Sequence, residues 1–106
     1  MTLLPWPDLP RATVANYRKW RDTKQGRDVY AAFRAKAREI RGKGWTHFGA
    51  KAIAESIRVD AALRDPTNAP KVNNSWVALM ARELMDEDYV FKGFFETRKR
   101  RAGWAA

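Results

Sequence analysis

The chain contains no cysteine and only one histidine, His47, and this scarcity limits its chemistry. Without cysteine it forms neither a disulfide framework nor a thiolate metal site, and a single imidazole argues against most acid–base, nucleophilic and metal chemistry. It also lacks a glycine-rich phosphate loop and a nucleophile motif, and a helix would spread the adjacent carboxylates Asp86, Glu87 and Asp88 around its surface. We therefore predict a protein that is not an enzyme and holds no cofactor or metal ion. A metal-dependent nuclease built from scattered acidic residues is the one enzyme class that this argument leaves open.

Long apolar runs are also missing from the sequence. The first ten residues contain three prolines and no basic residue, so they resemble neither a secretory signal nor a membrane-spanning segment. We therefore predict a cytoplasmic protein without a membrane partner. A length of 106 residues fits a single domain with one modest core.

What the chain does have is positive charge. Its 21 Lys and Arg residues exceed its 12 Asp and Glu residues, for a formal net charge of +9. Such a balance favours a polyanionic partner, most often nucleic acid, although it also fits a protein whose charge only keeps it in solution. The charge is uneven, because residues 11–27 and 92–101 are strongly basic whereas residues 65–91 are net acidic.

Apolar residues recur at helical spacing in four stretches of the chain. The predicted helices cover residues 13–20, 28–41, 50–60 and 73–87. Gly26 is the predicted stop of the first helix, and Gly42 with Gly44 ends the second. Residues 58–63 fit either the last part of the third helix or a short strand, and the sequence leaves both possibilities open. Immediately before Pro66, the chain is predicted to be extended or to turn.

The fourth predicted helix has a polar start, and a segment of different composition follows it. Asn73, Asn74 and Ser75 suit a helix cap, while residues 89–101 combine aromatic and β-branched residues around Gly93 and end in a basic run. A helix with a polar start followed by a basic hairpin is typical of a winged helix. The predicted fold is therefore mainly α with a small β-hairpin, a winged helix-turn-helix-like single domain with an N-terminal helical extension.

This interpretation divides the chain into three parts. They are an N-terminal arm with a short helix over residues 1–27, a winged-helix-like domain over residues 28–101 and a tail over residues 102–106. The connection before the fourth helix is longer than the roughly three or four residues of a compact helix-turn-helix, so any such unit here is an expanded one.

A winged helix binds duplex DNA by placing the start of its recognition helix in the major groove, with the wing along the phosphates. Asparagine pairs with the adenine edge, so the predicted base-contacting residues are Asn73, Asn74 and Ser75. An alternative for the two asparagines is purely structural, as a helix cap and a turn residue. Basic residues on either side are predicted phosphate contacts, namely Lys71, Lys92, Arg98, Lys99, Arg100 and Arg101. The acidic end of the same helix is expected to face away from the DNA.

The aromatic residues divide by their sequence context. Those predicted to pack on the core are Phe33, Trp45, Phe48, Trp76 and Phe94. Trp6 and Trp104 lie in terminal segments, where they are predicted to stack on bases or on a partner protein. If Phe94 and Phe95 belong to a strand, their side chains alternate, so one of the two is predicted to be exposed.

Several short motifs occur in a fixed order over about half of the chain. They are His47-Phe-Gly-Ala-Lys-Ala-Ile53, Ile57-Arg58, Lys71-Val-Asn-Asn74, Ala81-Arg82 with Met85, and Gly93-Phe-Phe-Glu-Thr-Arg98. This order resembles small uncharacterised proteins of bacteriophages and prophages. Val59 and Asp60 depart from the tryptophan or histidine expected after the second motif in such proteins. The resemblance implies no particular activity, and the winged-helix assignment comes from the order of the predicted elements.

Together these features predict a small basic DNA-binding protein, a phage-type regulator that places a recognition helix (73–87) and a basic wing (92–101) on double-stranded DNA. The alternative is a protein-interaction module whose basic face inhibits a host nucleic-acid enzyme or a CRISPR complex. A homodimer is compatible with either function.

Overall fold

The computed structural model describes residues 11–65, 67 and 74–95 of the chain. These residues form four α-helices and one short 3₁₀ helix. The elements are α1 (Arg11–Asp22), α2 (Lys24–Gly42), α3 (Ala50–Arg64), α4 (Asn74–Glu87) and the 3₁₀ helix (Tyr89–Phe91). Residues 58–63 are therefore helical, because they lie within α3. No helix in this part of the chain is long and apolar enough to cross a membrane.

A single residue, Thr23, separates α1 from α2 and caps the second helix. Its hydroxyl accepts a hydrogen bond from the Gly26 amide at 3.0 Å and donates one to the Trp20 carbonyl oxygen at 2.6 Å. The prediction that Gly26 ends a helix is wrong, because Gly26 lies in the first turn of α2. A Cβ atom at Gly26 would lie 1.9 Å from the Trp20 carbonyl oxygen, so the corner needs glycine for close backbone approach.

Helix α2 packs against α1, α3 and α4. Its buried apolar side chains, at helical spacing, are Val29, Tyr30, Phe33 and Ala37. The buried residues of α3 and α4 that complete this core are Ile53, Ala54, Ile57, Ala61, Val77, Leu79, Met80, Ala81 and Leu84. From α1, Tyr17 and Trp20 join the same cluster, and the Trp20 and Trp76 rings stack with centroids 4.7 Å apart. These contacts place all four α-helices around one core.

The described residues contain no strand, so the predicted β-hairpin and the winged helix built on it are wrong. A 3₁₀ helix occupies the start of the predicted hairpin, and Phe91, Phe94 and Phe95 are all buried. A strand would send Phe94 and Phe95 to opposite faces, whereas the turn brings both rings into contact with Phe91. The part of the predicted wing from residue 96 onward lies outside the described residues.

Local polar groups stabilise the turn that replaces the hairpin. The Asp88 carboxylate accepts a hydrogen bond from the Val90 amide at 3.1 Å and so caps the 3₁₀ helix. Gly93 then adopts a positive φ of 74°, which glycine tolerates better than any other residue. The Phe95 ring reaches Phe33 of α2 with centroids 5.4 Å apart. The Asp88 cap, the positive φ of Gly93 and the packing of Phe95 on α2 therefore stabilise this turn together.

Two buried tyrosines connect α1 and α2 to glutamates of α4. Tyr17 donates a hydrogen bond to Glu83, and Tyr30 donates one to Glu87. Arg21 lies between them, with its Nε 3.2 Å from Glu83 Oε1 and its guanidinium 3.8 Å from the centroid of the Tyr30 ring. Burial, reinforced by the hydrogen bonds to glutamate, raises the pKa of both tyrosine hydroxyls above the usual value.

The raised pKa of these two tyrosines predicts a loss of stability at alkaline pH. An unfolded tyrosine loses its proton near about pH 10, whereas the folded hydroxyls of Tyr17 and Tyr30 keep theirs to higher pH. The stabilisation is therefore fully present below about pH 10 and falls above it, by at most about 1.4 kcal/mol per pH unit for each tyrosine. Urea unfolding at a series of alkaline pH values measures this fall. The double variant Tyr17→Phe/Tyr30→Phe should show a smaller fall, and a pH dependence identical to that of the wild type would contradict the prediction.

Candidate nucleic-acid interface

Among the predicted DNA-contacting residues, the structure describes the side chains of Ser75 and Lys92. Ser75 is exposed in the first turn of α4, and Lys92 is exposed directly after the 3₁₀ helix. Asn74 begins α4, but its side chain lies outside the described part of the chain. The other predicted contacts lie outside it as well, namely Lys71, Asn73, Arg98, Lys99, Arg100 and Arg101, and so do Trp6 and Trp104.

Helix α4 separates the two described members of this set. A rise of about 1.5 Å per residue puts roughly 18 Å between Ser75 and Glu87 along the helix axis, and Lys92 follows the far end. Much of the helix is buried, at Val77, Leu79, Met80, Ala81 and Leu84. Ser75 and Lys92 therefore lie towards opposite ends of α4, whose middle contributes mainly to the core.

Basic residues of α2 contact the acidic end of α4. Arg34 pairs with Glu87 at 3.7 Å, and Arg38 pairs with Asp88 at 3.5 Å. Lys36 of the same helix pairs with a carboxylate of α3 at 2.8 Å. Because these three cations already face carboxylates, the side of α2 that carries them attracts a polyanion less than its sequence suggests.

Four cations at one end of the domain form no ion pair with another described residue. We call them the basic end, and they are Arg41, Lys43, Lys51 and Lys92. They come from the last turn of α2, the loop after it, the first turn of α3 and the turn after the 3₁₀ helix. The three lysines are exposed and Arg41 is half-buried. Their charge is therefore open to an anionic ligand.

Contacts between two distant segments bring the basic end together. The Phe48 amide donates a hydrogen bond to the Phe94 carbonyl oxygen at 3.0 Å, and His47 Nδ1 lies 3.4 Å from the Gly93 carbonyl oxygen. The loop after α2 is thus joined to the turn that carries Lys92. Only the folded chain completes this cluster, because Lys92 is far from the other three residues in the sequence.

The start of α3 adds to the positive potential of the basic end. Gly49 is the N-cap of this helix, and no side chain caps it. The amide groups of an uncapped first turn carry partial positive charge, equivalent to about half an elementary charge at a helix start. Lys51 lies in the same turn. Backbone amides and lysine charge therefore act on the same region.

Two aromatic side chains near the basic end are exposed. Trp45 is 57% exposed and Tyr89 is 81% exposed, so the prediction that Trp45 packs in the core is wrong. Phe33 and Phe94 are buried as predicted, and Phe48 and Trp76 pack against the core as predicted. The sequence contains one usable signal for Trp45, which lies in a short loop with Lys43, Gly44 and Gly49. No comparable signal marks Tyr89.

A second surface feature is an open cleft between α2 and α3, with a volume of about 400 Å³. Its floor includes the apolar residues Val29 and Ile57, and its rim includes Lys24 and Asp28. These two rim charges pair with each other at 2.6 Å. The cleft lies at the start of α2 and the end of α3, whereas the basic end lies at the opposite ends of both helices. Its paired rim makes it a weaker candidate for a charged ligand.

In the part of the chain that the structure describes, no group of three or more His, Cys, Asp or Glu side chains is placed to hold a metal ion. The resemblance to phage and prophage proteins stays a prediction from the sequence motifs. Compared with known proteins, the chain matches no family model, no curated protein and no solved structure.

Proposed function

We propose that the protein binds DNA through the basic end and acts as a small regulator without catalytic activity. One contrast between two sets of cations carries this proposal. On α2, Arg34 and Arg38 face carboxylates at 3.7 and 3.5 Å, whereas the lysines of the basic end face none of the described carboxylates. Exposed cations without partners contribute most to binding a polyanion, because they release its counterions without breaking an existing ion pair.

This surface takes the place of the recognition helix and wing that the sequence predicts. The basic end combines three exposed lysines with the uncapped start of α3, and both features suit phosphate groups. Phosphate contacts position a protein on DNA but do not read its sequence. We therefore expect binding that depends strongly on salt and weakly on base sequence.

Removing the lysine charges of the basic end tests the proposal. The triple variant Lys43→Gln/Lys51→Gln/Lys92→Gln should bind duplex DNA at least roughly tenfold more weakly near physiological salt, because up to about three phosphate contacts are lost. The slope of log affinity against log salt, which is negative, should also decrease in magnitude by about three. Fluorescence anisotropy with a labelled duplex over a series of salt concentrations measures both quantities.

A matched control removes the same amount of charge elsewhere. Lys19, Lys24 and Arg64 are exposed and lie at the end of α1, the start of α2 and the end of α3. Glutamine at these three positions should change affinity much less than glutamine at the three lysines of the basic end. Equal losses of DNA affinity in the two variants would show that binding depends on net charge alone, and would contradict binding through the basic end. If the wild type binds no DNA even at low salt, the proposal of DNA binding is wrong. A protein-interaction module that inhibits a host nucleic-acid enzyme or a CRISPR complex then becomes the better hypothesis.

A further inference from the structure

Large exposed aromatic rings are rare among the residues that the structure describes. Most aromatic residues in the described part of the chain are buried or packed against the core, and Trp45 and Tyr89 are the exposed exceptions. Both lie beside cations, since Trp45 is next to the Gly44 that follows Lys43, and the Lys92 ammonium lies 5.9 Å from the centroid of the Tyr89 ring. Exposed aromatic rings among cations are the usual composition of surfaces that bind single-stranded nucleic acid.

Contacts within the fold fix the position of the backbone that carries Trp45 and Tyr89. The Trp45 ring packs edge-on against Phe48 with centroids 5.8 Å apart, and the Phe48 amide is hydrogen-bonded to Phe94. Tyr89 begins the 3₁₀ helix that Asp88 caps, and the buried Phe91 anchors that helix to the core. Because these segments are already ordered, less conformational entropy is lost when the rings bind a ligand.

We infer that the basic end binds single-stranded DNA, with Trp45 and Tyr89 stacking on unpaired bases and the lysines contacting the phosphates between them. This inference rests on the proposed function and specifies its substrate. A duplex presents base edges and phosphates, because its base faces are stacked inside the helix. An exposed ring gains a stacking partner only where the bases are unpaired, whereas the lysines contact phosphates of either form.

Replacing Trp45 tests the inference directly. Trp45→Ala should weaken binding to a labelled single-stranded oligothymidine roughly tenfold to hundredfold, because a base stacked on an aromatic ring contributes about 1–3 kcal/mol. Binding to a duplex of equal length should change less than about twofold, since duplex binding relies on phosphate contacts. Trp45→Phe keeps a ring and should retain most of the affinity for the single strand. Fluorescence anisotropy at one fixed salt concentration measures all of these affinities.

A control variant removes an exposed apolar side chain that is distant from the basic end. Leu63 is 79% exposed near the end of α3, so Leu63→Ala should leave both affinities unchanged. If Trp45→Ala and Tyr89→Ala bind the single strand as tightly as the wild type, the inference is wrong. The proposed function still stands in that case, provided that the triple lysine variant loses affinity for the duplex. Failure of the wild type to bind either form of DNA would instead overturn the proposed function itself.

Discussion

Replacing Gly26 with alanine is expected to destabilise the domain by about 3 kcal/mol or more, although alanine is the better helix former. Gly26 lies within α2, and a Cβ atom there would lie 1.9 Å from the Trp20 carbonyl oxygen and 2.8 Å from Arg21 Cα. Both neighbours are backbone atoms, so they move only if the corner between α1 and α2 opens. Urea unfolding followed by circular dichroism measures the change in unfolding free energy.

The same helix provides a matched control at its other end. Gly42 is the last residue of α2, and a Cβ atom there would have no neighbour within 4 Å. Gly42→Ala should therefore leave stability unchanged or raise it by up to about 1 kcal/mol, because it restricts the unfolded chain. If the two alanine variants unfold at the same urea concentration, close packing at the corner is not the reason for glycine at position 26.

Replacing Phe91 with alanine is expected to cost about 3–5 kcal/mol of unfolding free energy, the range for a large aromatic side chain removed from a core. Phe91 is buried, and its ring contacts Phe94 and Phe95 at centroid distances of 5.4 and 6.4 Å. Its loss would leave a cavity beneath the turn that also carries Lys92. Thermal unfolding and urea unfolding both report this loss.

Tyr89 is the informative comparison for Phe91. In a strand the two residues would share one face, so alanine at either position would have a similar effect. In the 3₁₀ helix Tyr89 is 81% exposed, and Tyr89→Ala should change stability by less than about 0.5 kcal/mol. Equal and large losses for the two variants would contradict the 3₁₀ helix and support the hairpin that the sequence suggested.

Local signals in the sequence predicted the helices because the spacing of apolar residues and the capping residues are both visible within a single segment. Val29, Phe33 and Ala37 are buried on α2 as their periodicity required. The extended backbone of Asp65, with φ of −147° and ψ of 93°, confirms the prediction made for the residue before Pro66. The role of Gly26 was harder to predict, because glycine occurs both at helix ends and where two backbone segments approach each other closely. Thr23, whose hydroxyl caps α2, was the available signal for the correct helix start.

The segment after α4 was mispredicted because its composition suits two structures. The sequence Tyr89-Val-Phe91 fits a strand by β-propensity, and it also fits a turn between Asp88 and Gly93. The choice depends on whether the aromatic rings find space beside Phe33, which is distant in the sequence. Such tertiary contacts override local propensity, so the sequence alone favoured the wrong structure.

The candidate site was predictable in its charge but not in its location. Composition shows an excess of cations, yet which of them are neutralised depends on pairs such as Arg38 with Asp88, which lie 50 residues apart. Lys92 was predicted as a contact and belongs to the basic end. Lys43 and Lys51 were not predicted as contacts, and Trp45 was predicted to pack on the core. Lys92 is brought towards these residues by contacts such as the hydrogen bond between Phe48 and Phe94, for which the sequence carries no local signal.

The contact between Phe33 and Phe95 also has a consequence for the order of events during synthesis. A ribosome produces α1, α2 and α3 well before it adds Phe91, Phe94 and Phe95, and these rings cover the same core as Phe33. Since a domain folds as a unit, a nascent chain that ends before residue 95 carries an incomplete core with exposed apolar surface. We therefore expect this domain to complete its core only after residue 95 has left the exit tunnel, and we expect the helices that emerge earlier to expose apolar surface of the kind that chaperones bind.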